Sequence, residues 1–166
     1  REGKGETGMI SGLGSKKDFP LLADGKLAYL DSASTSQKPK QVIKAIADYY
    51  SRYNANVNRG VYSFGEMSTE IYEESRKAAA DFIGAEPDEI VFTKNTTEAI
   101  NLAAYSYGLE NVKKGDNVVV TRMEHHSNFV PWQQLAKMKK AEVRIVELSG
   151  FKLDMKHLAS LIDTKT

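Results

Sequence analysis

The chain contains no cysteine among its 166 residues. Disulfide bonds and thiolate metal sites are therefore excluded within it. Charge of one sign is not in excess either, because 23 basic residues face 22 acidic residues and the net charge is +1. This balance gives no electrostatic reason to expect nucleic acid or an anionic membrane as a partner. No apolar run approaches the roughly 18 residues of a membrane span, so we expect a soluble protein.

Hydrophobic residues nevertheless make up 41% of the chain, which indicates a globular protein. The exception is the N-terminal segment 1–18, which is rich in glycine and has almost no apolar residues. We predict a flexible tail there and one domain over residues 19–166. No secretory signal is visible, so the cytoplasm is the expected compartment.

Strand and helix patterns alternate through the second half of the chain. The strands are predicted at 89–94, 117–121 and 142–148, and the helices at 97–107, 128–140 and 155–162. Such alternation predicts βαβ units and an α/β fold with a mostly parallel sheet and helices on both faces. The first half predicts a short strand at 27–30, a helix after Pro39 and a helix at 66–82 that ends at Gly84. The chain stops directly after a helix, where a strand is due, so we expect an incomplete domain.

A polar turn, Asn95-Thr96-Thr97, stands between the first predicted strand of that series and its helix. A helix start has unpaired N–H groups and a partial positive charge, and the two threonines add hydroxyl donors. This corner suits a phosphate group. The alternative is a threonine N-cap without a ligand, since that is the commonest use of threonine at a helix start.

A second polar corner, Glu124-His125-His126-Ser127-Asn128, follows the next predicted strand. Ligands of open α/β sheets bind at the carboxyl ends of strands. An imidazole at this place could stack on a flat ring and shuttle protons near neutral pH. The alternative is a loop histidine bonded to the backbone. A metal site is not favoured, because adjacent residues rarely converge on one ion.

Two further segments in the first half are candidates for substrate contacts. Arg59, in the loop Val57–Gly60, could clamp a carboxylate, or it could be a solvated loop charge. The small residues around Ala33, in Asp31–Thr35, would let a ligand approach closely, or they could form a plain turn.

Several of these segments together carry a family resemblance. They are Tyr29–Ser34, Gln37-Lys38-Pro39, Val57–Gly60, Thr96–Leu102, Glu124–Asn128 and Val130–Gln133. In this order and spacing they resemble the N-terminal part of a SUF-type cysteine desulfurase, also called the selenocysteine lyase group. That group belongs to the class V aminotransferase family of pyridoxal phosphate enzymes.

The resemblance implies a fold and a set of roles. The chain would be part of the large domain of an aspartate-aminotransferase-like, fold-type I enzyme. Thr96 and Thr97 would bind the phosphate of pyridoxal 5'-phosphate, and His125 would stack on its ring and assist proton transfer. Asn58 and Arg59 would lie near the substrate mouth, and the turn that contains Ala33 would border the substrate.

The resemblance also implies an activity and partners. The full-length homodimer would convert L-cysteine, or L-selenocysteine, to L-alanine and would pass an enzyme persulfide to a sulfur-acceptor protein for iron–sulfur cluster assembly. The family's Schiff-base lysine, its pyridine-facing aspartate and its persulfide cysteine have no match here. Many members also carry histidine where this chain has Asn58. We therefore expect the 166-residue segment to be inactive alone.

Two alternatives stay open at this stage. One is another class V enzyme, such as an aminotransferase, an epimerase or a kynureninase-like hydrolase. The other is a non-catalytic, truncated paralogue.

Overall fold

The computed structural model describes residues 15–60 and 62–166. The chain divides into two compact units, Arg1–Ile90 and Val91–Thr166. Residues 1–14 of the predicted tail lie outside the described residues, and Lys16–Asp18 form a turn of 3-10 helix. No helix within the described ranges is both long enough and apolar enough to cross a membrane.

The first unit contains two long helices, and both were predicted. Helix α1 spans Lys40–Arg52 and begins after Pro39, whose backbone is extended. Helix α2 spans Ser63–Ile83 and is longer at its N-terminal end than its apolar pattern indicated. It ends at Gly84, which has φ of 72° in the left-handed region, so the predicted glycine stop is confirmed.

The strand predicted at 27–30 was wrong, because these residues are irregular. Leu30 is 94% exposed. A strand is stabilised by a hydrogen-bonded neighbour. None pairs with this segment among the residues that the structure describes.

The second unit contains the parallel pair that the alternation predicted. Strand β1, Asn117–Thr121, pairs in parallel with strand β2, Glu142–Val146. The intervening helix α5, Val130–Lys139, packs against both strands. Leu135 of this helix and Val120 and Val146 of the strands are buried. This βαβ unit confirms the α/β fold class.

The strands flanking this pair differ from the predictions. Residues 89–94 are not a strand: Pro87–Glu89 form a 3-10 helix, and residues 90–93 have no assigned secondary structure. Strand β2 ends at Val146 rather than at 148. The chain then forms an antiparallel hairpin, β3 (Leu148–Ser149) with β4 (Lys152–Leu153), around Gly150 at φ of 64°.

The last helix, α6, spans Met155–Leu161 and was predicted to within one residue. Asp163 follows it and anchors the chain to the sheet by an ion pair with Arg144 at 2.7 Å and a hydrogen bond from Asn117 at 3.0 Å. The hydrogen bond from Arg144 is the largest cause that lowers the pKa of Asp163 to about 2. His157 lies in α6, and its Nδ1 accepts the N–H of Glu147 at 3.1 Å.

The helix predicted at 97–107 does not stop at Gly108. It continues from α3 (Thr96–Ala103) through a π-helical segment (Ala104–Gly108) into the short helix α4 (Leu109–Asn111). Gly108 has φ of −63°, an ordinary helical value, so it is not a left-handed stop. Its role is steric, because a Cβ there would lie 2.5 Å from Cδ2 of Leu135.

Gly108→Ala is therefore expected to destabilise the protein by about 1–3 kcal/mol, as overpacking of a core does. Leu135 is only 1% exposed and has little room to move. The measurement is denaturant unfolding of the full-length apoprotein. In a Leu135→Ala background the clash is gone, and the same change should stabilise the helix by about 0.5–1 kcal/mol. An equal penalty in both backgrounds would contradict this explanation.

Candidate active site

A cavity of about 500 Å³ opens in the second unit beside the corner that follows β1. Thr97, Asn101 and Tyr105 line it from one helix, and His125, His126 and Ser127 line it from the corner. The first turn of α5 and Gln134 complete the wall. The volume lies within the roughly 300–1,000 Å³ typical of small-molecule sites.

The start of α3 offers free hydrogen-bond donors on one side of this cavity. The N-cap is Asn95, whose side chain accepts the N–H of Glu98 at 3.0 Å. Neither threonine therefore serves as the cap. Within the described ranges, the N–H groups and hydroxyls of Thr96 and Thr97 have no hydrogen-bond partner. Unpaired donors at the positive end of a helix suit an anion.

His125 is held in one tautomer by the corner. Its Nδ1 lies 3.2 Å from the N–H of Ser127 and 2.9 Å from the Ser127 hydroxyl. A backbone N–H can only donate, so Nδ1 is an acceptor and the proton of the neutral ring is on Nε2. His125 thus caps the 3-10 helix His126–Asn128 through its side chain.

Helix α5 begins later than predicted, at Val130, with Pro131 in its first turn. The predicted start at 128 was wrong because the 3-10 turn occupies residues 126–128. Two turns therefore connect β1 to α5, one at residues 122–123 and the other the 3-10 helix His126–Asn128. His125 directly precedes the second turn.

Three side chains of the motifs named above, to which the sequence assigned no individual role, brace this corner. Glu124 accepts hydrogen bonds from the Thr121 hydroxyl at 2.6 Å and from the Asn128 amide at 2.7 Å. Asn128 in turn accepts the indole N–H of Trp132 at 3.0 Å. The bond from Thr121, and then the one from Asn128, lower the pKa of Glu124 from its ordinary value. Their spacing of four residues, at 124, 128 and 132, was the sequence signal available.

The predicted substrate residues Asn58 and Arg59 lie in the first unit, on a loop fastened to α2. Asn58 has φ of 65°, in the left-handed region that asparagine tolerates better than most residues. Its N–H donates to the hydroxyl of Thr69 at 2.9 Å. Arg59 is exposed.

Two glycines let this loop touch the helix. A Cβ on Gly60 would lie 2.6 Å from Cα of Gly65, and a Cβ on Gly65 would lie 2.5 Å from Cα of Gly60. Only glycine at both positions permits this approach. Arg59 therefore precedes a rigid backbone contact rather than a free loop.

Ala33 lies in an exposed turn, also in the first unit. The carbonyl of Asp31 accepts the N–H groups of Ser34 at 3.1 Å and of Thr35 at 3.0 Å. The structure thus brings Thr97 and His125 together at one cavity, places Thr96 beside Thr97, and has Ala33, Asn58 and Arg59 in the other unit. No group of three or more histidine, aspartate or glutamate side chains in the described part of the chain could hold a metal ion.

Comparison with known proteins gives a consistent result. The family described as aminotransferase class-V matches residues 28–166. A probable cysteine desulfurase of Staphylococcus aureus is 49% identical over 156 residues, which cover 90% of this chain and 38% of that protein. Its Staphylococcus epidermidis counterpart is 47% identical over the same length. The chain thus spans about 38% of the length of the curated relatives it matches.

Solved structures agree with these relatives. The apo structure of a cysteine desulfurase from Thermococcus onnurineus is similar with a TM-score of 0.81 and 44% identity, over 87% of this chain and 36% of that one. An Escherichia coli cysteine desulfurase gives a TM-score of 0.76 at 35% identity, over 90% and 38% of the two chains.

Proposed function

Because the chain belongs to the aminotransferase class-V family, we propose that the protein which carries it is a pyridoxal phosphate-dependent cysteine desulfurase. The similarity to cysteine desulfurases at 49% and 44% identity supports this substrate choice. The reaction would convert L-cysteine to L-alanine and leave a persulfide on the enzyme. L-Selenocysteine is the second substrate that we propose.

The observation that carries the proposal is the pairing of free donors with an oriented imidazole at one cavity. Thr97 and His125 both line it, and Asn95 takes the capping role that would otherwise occupy the threonines. A phosphate-bearing aromatic cofactor fits this donor set. Thr96 and Thr97 would hold the phosphate of pyridoxal phosphate, and His125 would lie against its ring.

When bound, pyridoxal phosphate supplies an electron sink for the carbon next to the substrate amino group. The residues of this chain would orient the cofactor and supply a proton. Because Nδ1 of His125 is committed to Ser127, Nε2 is the nitrogen that holds and releases a proton toward the cavity. Thr96 and Thr97 keep the anionic end in place through donors that need no rearrangement.

The first unit would supply substrate contacts. Arg59 is a cation on a loop whose backbone is fixed by contacts with Thr69 and Gly65, and its guanidinium would bind the substrate carboxylate. Ala33 would border the substrate without blocking it. Asn58 replaces the histidine of many relatives, and its role here would be to hold the left-handed backbone rather than to transfer a proton.

The wider setting is part of the same proposal. The enzyme would work as a homodimer in the cytoplasm and pass sulfur to an acceptor protein for iron–sulfur cluster assembly. The persulfide requires a cysteine, and this segment has none. We therefore expect the 166-residue segment to show no turnover by itself.

The test uses the full-length protein, purified and supplied with pyridoxal phosphate. We expect a visible absorption band from bound cofactor and formation of alanine and sulfide from L-cysteine with a reductant. A protein with no such band would contradict the enzyme proposal and favour a non-catalytic paralogue. A band without alanine formation from L-cysteine would favour another class V activity.

A further inference from the structure

We propose that Glu124 is a positioning residue for His125, acting through its hydrogen bonds to Thr121 and Asn128. This inference rests on the proposed function, because His125 is the residue that would meet the cofactor. It concerns groups that do not line the 500 Å³ cavity themselves.

The contacts bracket His125 on both sides. Glu124 immediately precedes it, and one carboxylate oxygen is tied back to the end of β1 through the Thr121 hydroxyl at 2.6 Å. The other oxygen is tied forward to Asn128, at the end of the 3-10 turn, at 2.7 Å. One side chain therefore fastens both ends of the segment that carries the imidazole.

The brace extends into α5 and is partly buried. Asn128 accepts the indole N–H of Trp132 at 3.0 Å, so the corner is fastened to the first turn of α5. Thr121, Glu124, Asn128 and Trp132 are all half-buried. Hydrogen bonds to an ionised carboxylate are roughly twice as strong as neutral ones.

The backbone alone holds this corner weakly. The N–H of Glu124 lies 3.4 Å from the carbonyl of Thr121, whereas the N–H of Asn128 lies 2.8 Å from the carbonyl of His125. The turn is thus tight after His125 and loose before it. The carboxylate of Glu124 supplies the missing constraint on the loose side.

The carboxylate of Glu124 and the amide of Asn128 can be exchanged between the two positions without changing the shape of either side chain. Asn128→Asp sets a second carboxylate against that of Glu124 while leaving an acceptor for Trp132. The double variant Glu124→Gln with Asn128→Asp restores complementarity, because the new amide at 124 donates to the new carboxylate at 128. Its carbonyl oxygen still accepts the Thr121 hydroxyl, and the net charge equals that of the wild type.

The experiment measures pyridoxal phosphate affinity by reconstitution of the full-length apoprotein, together with visible circular dichroism of the bound cofactor. Asn128→Asp should weaken cofactor binding by about tenfold, the equivalent of one lost charge-assisted hydrogen bond. The double variant should return to within about threefold of the wild type and recover its dichroism, since the coupling lies within this pair. Gln133→Glu is the charge control, because Gln133 is exposed on helix α5 and its side chain makes no hydrogen bond to any residue that the structure describes.

Several results would overturn the proposal. An equal loss in Gln133→Glu would show that added charge alone is responsible. A fall in unfolding free energy without a change in affinity or dichroism would show a structural role only, as would failure of the double variant to recover. If Asn128→Asp does not fold, Glu124→Gln alone removes one of the two bonds, and unchanged affinity there overturns the proposal. A wild-type protein that binds no pyridoxal phosphate overturns the proposed function itself, which the variants do not test.

Discussion

His125→Asn is expected to lower alanine formation from L-cysteine by roughly 10²–10⁴-fold in the full-length enzyme, the usual contribution of a positioned acid–base group. Asparagine is chosen because its side-chain oxygen can still accept the N–H of Ser127 and cap the 3-10 turn. The change therefore removes the proton-bearing nitrogen while the corner keeps its conformation. The measurement is kcat at saturating cofactor, with cofactor content determined on the same sample.

His126→Asn is the comparison for this prediction. Its ring lies 6.1 Å from that of His125 between centroids, and it also lines the cavity. It has no hydrogen bond that fixes its tautomer within the described residues. We expect less than a tenfold loss there, because no contact prepares its nitrogen for proton transfer. Equal losses in the two variants would remove the reason for assigning the proton to His125.

Gly65→Ala is expected to destabilise the protein by about 3 kcal/mol, at the upper end of the usual cost of overpacking. The new Cβ would lie 2.5 Å from Cα of Gly60, and both atoms belong to the backbone, so no side-chain rotation relieves the overlap. The loop would have to move away from α2 and break the hydrogen bond from Asn58 to Thr69. Denaturant unfolding measures the loss, and KM for L-cysteine should rise because Arg59 moves with the loop.

Gly84→Ala is the matched control on the same helix. Gly84 has φ of 72°, and a Cβ there meets nothing within 4 Å. The cost should be about 1 kcal/mol, which is the price of a left-handed alanine without a clash. KM should not change. A penalty at Gly65 no larger than that at Gly84 would contradict the steric explanation.

Elements with a strong local signal were predictable from the sequence. Strand β1 was located to the residue, because its β-branched run lies between the Gly115 turn and a polar corner. Helix α2 and its stop at Gly84 followed from the apolar stripe and the glycine. These features depend on neighbours in sequence, which a local pattern records.

The predictions that were wrong concern segments whose structure depends on residues far away in the sequence. Residues 27–30 and 89–94 have strand-forming composition, yet no described strand pairs with either. The predicted helix end at 107 was wrong, because the local sequence at Gly108 gives no sign that Leu135 packs against it. At the candidate site, the threonines and His125 were predicted from their types and positions, and Thr97 and His125 line one cavity. The brace from Glu124 to Trp132 was not, because its value lies in hydrogen bonds that only the folded turn creates.

The π-helical turn at Ala104–Gly108 lies within one continuous helix. It determines the angle, measured about the helix axis, between the face that lines the cavity and the face that packs against Leu135. Thr97, Asn101 and Tyr105 face the cavity, whereas Gly108 packs against Leu135. An α-helix rotates about 100° per residue, and a π-turn accommodates one extra residue without ending the helix. Deleting one residue here would therefore turn the cavity-lining end of the helix by about 100° relative to its packed end. Length variation at this turn would reshape the cavity while leaving the helix continuous.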